Sequence, residues 1–464
     1  ENHAGSGAVA PGSVEEVQAV LRIANEHRIP LWPISRGKNL GYGGSAPRMA
    51  GTLMLDLGRL NRILEVNDKL GYCIVEPGVG FFDLWDHLQK NRIPLSVGIP
   101  GNGWGSVVGN ALERGFSGAG DHSNNICGLE IVLPTGELVR TGMGAMGDSK
   151  TWPLFKHGFG PSWDQLIVQG NFAVVTKLCL WMQPQPEMVM NVEVKLPKPG
   201  DLEWFLDTVN PLRQRGVLDG LVRLTSYQAS AIVPTVRTEW YRGRDSIPDD
   251  VIARIMQRYD VGWWNGPVRI AGYADVCEAN LKRLLDALAK RTNLEFPVAR
   301  SSGADGRGPS TLPLQMANWY GGRGGHIGYS PVMPADGRLI QAQFERTRRR
   351  YQEFGLDYSA TFYVDGRAAT NVNLILYDKD DEEQKGRVAK LFRALIDDAK
   401  AEGYGEYRTH LSYMDDVALS YDFNGHALMK LNEKVKDALD PNGILAPGAR
   451  PDAVAAGRDQ RSKL

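Results

Sequence analysis

Two glycine-rich segments, 36–44 and 101–110, constrain the fold of this chain most strongly. The first follows a helix pattern that begins with a capping box at 13–16, and a short buried strand pattern at 29–34. Glycines let backbone N–H groups converge on an anion, although one such segment alone serves as a plain turn about as often. Two of them within alternating strand and helix patterns predict an α/β domain that binds a diphosphate-containing cofactor.

The spacing of these glycines differs from the usual dinucleotide-binding fingerprint. G-x-G-x-x-G leading into a helix is absent at the chain start, which argues against a Rossmann domain. The alternating patterns continue to about residue 180, where Pro184 and Pro186 break the chain. We therefore predict a domain boundary near 187, followed by further strand and helix patterns over 188–403.

Length, charge and cysteine content exclude several other classes of protein. The 464 residues suffice for two to four domains, and 53 Lys+Arg against 54 Asp+Glu give no basic surface for nucleic acid. No apolar run approaches the roughly 20 residues of a membrane span. The cysteines, which form no C-x-x-C pair, predict buried single thiols rather than zinc or dithiol chemistry.

Six segments combine these glycines with specific polar residues: 33–48 (PISRGKNLGYGGSAPR), 75–79 (VEPGV), 105–115 (GSVVGNALERG), 120–122 (GDH), 403–415 (GYGEYRTHLSYMD) and 440–448 (DPNGILAPG). Together they resemble the vanillyl-alcohol oxidase and p-cresol methylhydroxylase family of FAD-dependent oxidoreductases. The resemblance extends over nearly the whole chain.

The resemblance implies an α+β fold. Residues 1–187 and 404–464 would form a two-part FAD-binding domain of α/β subdomains, and 188–403 an antiparallel-sheet cap domain flanked by helices. The residues that it places at the cofactor are Ser35, Arg36, Gly37, Lys38, Asn39, Leu40, Gly41, Pro100, Gly101, Gly105, Ser106, Gly109, Asn110 and Val174.

His326 is the histidine that the resemblance singles out among the eight in the chain. Most histidines in proteins are structural or exposed. Without the family resemblance, His326 would also be interpreted as a structural or exposed residue. It lies in the segment 324–331 (GGHIGYSP), at the position that resembles the family's flavin-linking histidine, so covalent FAD is expected through His326. The 36–44 loop contains no histidine that could serve instead.

Tyr407 and Arg408 are the strongest candidates for substrate binding. A tyrosine beside an arginine is a common surface pair, but together they supply a phenolic donor and a permanent cation for an oxyanion. The motif resembles the family's phenolate-binding pair, which works with a loop tyrosine, here Tyr42. The implied function is oxidation of para-substituted phenols, namely 4-hydroxybenzylic alcohols and 4-alkyl or 4-allyl phenols. Hydride would pass from the benzylic carbon to flavin N5 through a quinone methide.

Two positions depart from the family pattern. Gly101 stands where oxidase-type members carry an aspartate, and a tyrosine expected after Gly115 is missing from a shortened 115–120 loop. O2 is the expected electron acceptor. Two alternatives stay open: a dehydrogenase that reduces a c-type cytochrome, and a flavin-binding protein with little redox turnover.

The remaining expectations concern partners and compartment. The resemblance implies a homodimer or larger homo-oligomer that acts on a small phenol. The balanced charge, the absence of a long apolar run and the cysteine spacing predict no nucleic acid, membrane or metal partner. The chain ends in Ser462, Lys463 and Leu464, a peroxisomal address in a eukaryote and without meaning in a bacterium. An intracellular protein is therefore expected, peroxisomal in the first case and cytoplasmic in the second.

Overall fold

The computed structural model describes residues 3–118, 120–231, 235–303 and 308–449. The described chain divides into two compact units. The first unit consists of 3–117, 121–184 and 410–449, and the second of 185–409 together with Gly118 and Gly120. Both units combine helices with sheets, so the predicted α+β class is confirmed.

The strands of the described residues are β1 (Gly7–Val9), β2 (Leu31–Ile34), β3 (Leu53–Asp56), β4 (Ile63–Asn67), β5 (Tyr72–Val75), β6 (Leu95–Ser96), β7 (Phe116–Ser117), β8 (Gly120–Asp121), β9 (Ile126–Val132), β10 (Leu138–Arg140), β11 (Val174–Trp181), β12 (Gln183–Pro184), β13 (Met188–Leu196), β14 (Val222–Ser226), β15 (Trp264–Gly272), β16 (Val298–Ser302), β17 (Gly324–Tyr329), β18 (Pro331–Pro334), β19 (Ala360–Val364), β20 (Ala368–Asp378) and β21 (Gly405–Glu406). The α-helices are α1 (Val14–His27), α2 (Phe81–Lys90), α3 (Val107–Leu112), α4 (Asp164–Ile167), α5 (Leu202–Gln214), α6 (Tyr227–Ala231), α7 (Asp249–Tyr259), α8 (Ala274–Ala289), α9 (Gly337–Glu353), α10 (Glu382–Ala401), α11 (Met414–Ala418) and α12 (Phe423–Leu439).

Helix α1 begins at the predicted Ser13 cap. The Ser13 side chain accepts a hydrogen bond from Glu16 N, as in a capping box. The second bond differs from the predicted box, because Glu16 Oε2 accepts from Gly12 N, one residue before the N-cap. The helix buries Val17 and Leu21 in a core shared with the short sheet that follows.

That short sheet has the order β1–β3–β2 and is parallel. The C-terminal part of the chain extends it, because Leu31 N donates to Ile444 O and Ala446 N donates to Leu31 O, both at 2.7 Å. Residues of 410–449 thus complete the first unit from the far end of the sequence.

The DPNGILAPG segment owes its shape to a buried ion pair. Lys436 Nζ lies 2.7 Å from Asp440 Oδ2 and also donates to the carbonyls of Asn171 and Leu445. The Asp440 carboxylate in turn accepts from the backbone N–H groups of Ile444 and Leu445. A buried charge pair is tolerated when hydrogen bonds satisfy its remaining groups, as here.

The second sheet of the first unit is antiparallel, with the order β10–β9–β11–β5–β4. Its strand β9 is buried at every position. Helices α2 and α3 pack into the same core through Leu84, Leu88, Val107 and Val108. This packing fixes the start of α3, where the second glycine-rich segment ends.

The second unit is built on one large antiparallel sheet. Its order is β16–β13–β15–β14–β19–β20–β18–β21, and β17 also pairs with β20. Helices α5, α8, α9 and α10 pack against this sheet and against one another. Trp264 lies at the centre of its core, with its ring 5.0 Å from that of Phe344 and 5.6 Å from that of Phe362. The predicted antiparallel sheet flanked by helices is confirmed.

The four cysteines are buried and reduced, as the sequence predicts. Burial raises the pKa of the Cys73 thiol to about 12, so the group stays protonated and unreactive at neutral pH. In the described part of the chain, none of the helices has the length and apolar character that a membrane crossing requires. The same residues contain no cluster of side chains suited to a metal ion.

Candidate active site

The two glycine-rich segments meet in the first unit. A Cβ atom on Gly109 would lie 2.6 Å from Ser35 Oγ, so only glycine allows α3 to approach the first loop this closely. Asn102 Nδ2 also donates to Lys38 O at 3.4 Å. The fold therefore brings together the two segments whose backbone groups suit a diphosphate.

The first loop is a series of tight turns that need glycine. Gly37 and Gly41 have φ angles of 63° and 82°, in the left-handed region that other residues rarely adopt. Gly44 N and Tyr42 N both donate to Asn39 O, which closes the turn between them. Leu40, at the outer side of this turn, is exposed.

Arg36 is a predicted cofactor residue whose charge is already compensated. Its Nη1 atom lies 2.5 Å from Asp83 Oδ2 and donates to Gly78 O at 3.1 Å. The guanidinium therefore fastens the first loop to the turn before α2 rather than standing as an unpaired cation. Any contribution to cofactor binding must come from its backbone or from its remaining N–H groups.

Two further predicted cofactor residues, Ser106 and Val174, have side chains that serve the fold: one caps a helix and the other packs in the core. Ser106 is 5% exposed, and its Oγ accepts from Gly109 N and donates to Pro77 O. It is the N-cap of α3, and its carbonyl accepts a hydrogen bond from Asn110 N at 2.9 Å. Val174 begins β11 and lies in the core beside Val132, so its side chain also serves packing.

Pro100 and Gly101 are placed differently, at the start of the second segment. Gly101 is exposed, and a Cβ added there meets no atom within 4 Å. Gly105 is tighter, because its Cβ would lie 3.3 Å from Asn102 O. A side chain at 101 is thus sterically acceptable, whereas the rest of the turn favours glycine.

Asn110 is held by a buried histidine. His122 Nδ1 lies 2.6 Å from Asn110 Oδ1, and His122 Nε2 lies 3.0 Å from Ser117 Oγ. Burial lowers the pKa of His122 to about 4, so the imidazole is neutral at neutral pH. The sequence shows His122 only as part of a Gly-Asp-His motif and does not reveal this contact.

His326 lies on β17 in the second unit, paired with Leu376 of β20. The glycines before it are required by packing, since a Cβ on Gly324 would overlap the backbone of Ala317. The neighbouring Tyr329 is fully buried and donates to Leu395 O at 2.5 Å. Burial raises the pKa of the Tyr329 hydroxyl, so it remains a hydrogen-bond donor.

Tyr407 and Arg408 follow β21, which pairs with β18. Strands β17 and β18 keep one register with β20 on either side of Ser330, where the pairing is interrupted. At that interruption Ser330 N donates to Glu406 Oε1 at 3.0 Å, and Tyr407 N donates to Ser330 O at 3.3 Å. The Tyr407–Arg408 pair is thus anchored four residues beyond His326 on the same sheet.

Glu406 is the residue at this anchor that sequence reasoning missed. It is 8% exposed, and a buried carboxylate requires hydrogen-bond donors such as the Ser330 N–H. The sequence feature that could have identified Glu406 is its position as an acidic residue directly before the Tyr-Arg pair.

Tyr42 belongs to the first unit, in contrast to Tyr407 and Arg408. Its carbonyl accepts a hydrogen bond from Leu411 N at 3.4 Å. Arg48 strengthens this contact, since it donates to Leu411 O at 3.0 Å and forms an ion pair with Asp415. The segment that directly follows Arg408 in the chain is therefore attached to the loop that carries Tyr42.

Comparison with known proteins identifies the family. The model of the FAD binding domain matches residues 6–142, and that of the C-terminal domain of FAD linked oxidases matches 310–449. The chain is 34% identical to the 4-cresol dehydrogenase (hydroxylating) flavoprotein subunit of Pseudomonas putida, over 96% of this chain and 88% of that protein. The chain belongs to the vanillyl-alcohol oxidase and p-cresol methylhydroxylase family. It is an FAD-linked oxidoreductase.

Two solved structures of the family have the same fold as this chain. A 4-ethylphenol oxidase from Gulosibacter chungangensis, in complex with isoeugenol, matches with a TM-score of 0.91 and 33% identity over 96% of this chain and 89% of its own. p-Cresol methylhydroxylase with bound substrate matches with a TM-score of 0.92 and 33% identity over 97% and 90%.

The first unit fits the FAD of this family. The first loop contains left-handed glycines, and Gly109 of the second segment lies close to Ser35 at the start of that loop. Glycine-rich backbone of this kind suits a diphosphate. We propose the predicted residues of both segments as the FAD contacts.

Gly101→Asp tests the departure from the family at this junction. The open space around Gly101 should accept the carboxylate, and a base there is expected to speed reduction of the flavin by a 4-hydroxybenzylic alcohol by more than about twofold. Anaerobic stopped-flow absorbance measures the rate, and Gly101→Asn is the neutral control of equal size. Rates within about twofold of the parent would show that the reaction needs no acid at this position.

Proposed function

We propose that this chain oxidises para-substituted phenols at the benzylic carbon. The observation that carries the proposal is the anchoring of Tyr407 and Arg408 at Ser330, on the sheet that also carries His326. The backbone of Tyr407 is thereby fixed by pairing with Ser330. Relatives named for 4-cresol and 4-ethylphenol support the substrate class.

Arg408 and the two tyrosines bind the phenolic oxygen in this proposal. Three hydrogen-bond donors, one of them a permanent cation, stabilise the phenolate and so lower the pKa of the bound phenol. Tyr42 is the third donor that the family resemblance implies. A phenolate sends electron density through the ring to the para carbon, which favours loss of a hydride from the benzylic position.

FAD is the cofactor in this proposal. When bound, FAD supplies the two-electron oxidation by taking the hydride at N5. The two glycine-rich segments hold its diphosphate through backbone N–H groups, and His326 carries the covalent link. The protein thus orients the reactants and polarises the phenol.

We propose O2 as the electron acceptor, with a c-type cytochrome as the second candidate. The cytochrome is favoured by one observation: the Pseudomonas putida relative is named as a flavoprotein subunit, which implies a second subunit. The oxidase is favoured by the equally similar 4-ethylphenol oxidase. A third candidate, a flavin-binding protein with little turnover, is favoured by the glycine at 101.

One experiment separates these candidates. The protein is mixed anaerobically with a 4-alkylphenol, and we expect the flavin absorbance to bleach. Admission of air should then restore the colour rapidly if O2 is the acceptor. Slow return of colour, accelerated by added cytochrome c, would favour the dehydrogenase, and absence of bleaching by any para-substituted phenol would contradict the proposed function.

Assembly and compartment are also proposals. We propose a homodimer or larger homo-oligomer, which gel filtration with light scattering would measure. The Ser462–Lys463–Leu464 ending, on which a peroxisomal address would depend, lies outside the described residues. We propose an intracellular site of action, cytoplasmic in a bacterium and peroxisomal in a eukaryote.

A further inference from the structure

A chain of three buried polar side chains lies behind the second glycine-rich segment. Ser117 and His122 are 5% and 6% exposed, and they contact Asn110 in the order Ser117–His122–Asn110. The backbone closes the same loop, because His122 N donates to Gly115 O at 2.9 Å and Gly115 N donates to Asn110 O at 2.7 Å. Gly115 and His122 are therefore fastened to each other and to Asn110 beside this contact.

The hydrogen bonds assign a role to each atom. Asn110 Oδ1 is only an acceptor, so His122 Nδ1 must carry the hydrogen and donate to it. His122 Nε2 is then the lone-pair nitrogen of a neutral ring, and the Ser117 hydroxyl must donate to it. Because burial keeps the ring neutral, this tautomer persists at neutral pH.

The surrounding backbone is shaped to keep the three groups in place. A Cβ on Gly98 would lie 2.6 Å from His122 Nε2, and a Cβ on Gly115 would overlap the Asn110 amide. Glycine at both positions lets the backbone close directly over the ring and the amide. These contacts leave the His122 ring little freedom to turn.

We propose that Ser117 and His122 are positioning residues for FAD, which orient the Asn110 amide so that it offers donors and not an acceptor to the diphosphate. The proposal rests on FAD binding at the second segment and is independent of the phenol substrate. Since Oδ1 is engaged by His122, the Nδ2–H groups are what Asn110 presents to an anion. The reverse orientation would turn a carbonyl oxygen toward the phosphates and repel them.

Asn110 lies where the orientation of its amide would affect the binding of an anion. The residue before it, Gly109, lies against Ser35 at the junction of the two segments. Residues that orient a ligand-binding group from behind typically change affinity by about 10- to 100-fold when they are replaced. Ser117 contributes through the tautomer, because its hydroxyl pairs with Nε2 and so leaves the hydrogen on Nδ1.

Two variants of His122 provide the test. His122→Asn places an amide N–H near the position of Nδ1 and keeps the donor to Asn110, whereas His122→Gln reaches toward Ser117 and loses that donor. Both are measured in a His326→Ala background, in which FAD exchanges freely. We expect His122→Gln to raise the Kd for FAD about tenfold or more, and His122→Asn to stay within about threefold of the background.

The thermal midpoint of the apoprotein separates positioning from a merely structural role. If the network only supports the fold, both variants lower Tm and raise the Kd equally, and that result overturns the proposal. Should neither variant fold, Ser117→Ala removes one hydroxyl alone, and an unchanged Kd for FAD again overturns it. Asn110→Ala checks the FAD contact itself: an unchanged Kd would refute the proposal without bearing on phenol oxidation.

Discussion

Arg408→Ala is expected to lower kcat/KM for a 4-alkylphenol by about 10²- to 10³-fold while FAD content stays intact. Removing the cation leaves a phenolate with incomplete compensation in a site of low polarity, and breaking such a pair costs about 3–5 kcal/mol. A change of 1.4 kcal/mol corresponds to about tenfold in rate or affinity. Steady-state kinetics and flavin absorbance per protein measure the two quantities.

Substrate and protein controls isolate the phenolate from other effects. The methyl ether of the same phenol forms no anion, so it should be a poor substrate for the parent and lose little further activity in Arg408→Ala. Arg254→Ala, which removes an exposed arginine of α7, is the matched control. Equal turnover of the phenol and its ether by the parent would contradict the phenolate mechanism and leave Tyr407 and Arg408 with a structural role.

The sequence predicted the tight turns of the first glycine-rich segment, because a left-handed backbone favours glycine. Left-handed φ at Gly37 and Gly41 is a backbone property that favours glycine, and the close approach of Gly109 to the Ser35 hydroxyl favours a residue without a side chain. Such requirements are local, so a pattern of residue types records them. The capping box at Ser13 is local in the same sense.

The hydrogen-bond and ion-pair partners of the site's side chains were not predictable, because these partners are distant in sequence. Arg36 pairs with Asp83, and Ser330 with Glu406, across 47 and 76 residues. A motif indicates which residues a site contains but not which of their atoms the fold has already engaged. The Ser106 hydroxyl is hydrogen-bonded to Pro77 and Gly109, and the Arg36 guanidinium is paired with Asp83, so the fold itself engages both groups.

The limits of the compact units depend on strand pairing that the sequence pattern does not contain. Residues 405–406 pair with β18 of the second unit, whereas Ile444 and Ala446 hydrogen-bond to Leu31 of the first. Short strands of two or three residues carry no period that could be read in advance. Their partners, rather than their composition, decide the unit to which they belong.

His326→Ala is expected to release nearly all of the flavin from its covalent link. His326 is the only histidine in the cap motif that resembles the family's attachment site, and the 36–44 loop has none. After acid precipitation, wild-type protein should carry the yellow colour into the pellet, whereas the variant should leave it in the supernatant. Mass spectrometry of the peptide containing residue 326 should show the added mass of FAD in the wild type alone.

His27→Ala, at the exposed C-terminal end of α1, is the matched control and should keep the colour in the pellet. Loss of the link should also lower the reduction potential of the flavin and slow its reduction by a phenol, because covalent attachment favours hydride uptake. Colour that remains in the wild-type supernatant would contradict attachment through His326. The glycines before this residue would then reflect only the close packing of β17 on the helix at Leu312–Asn318.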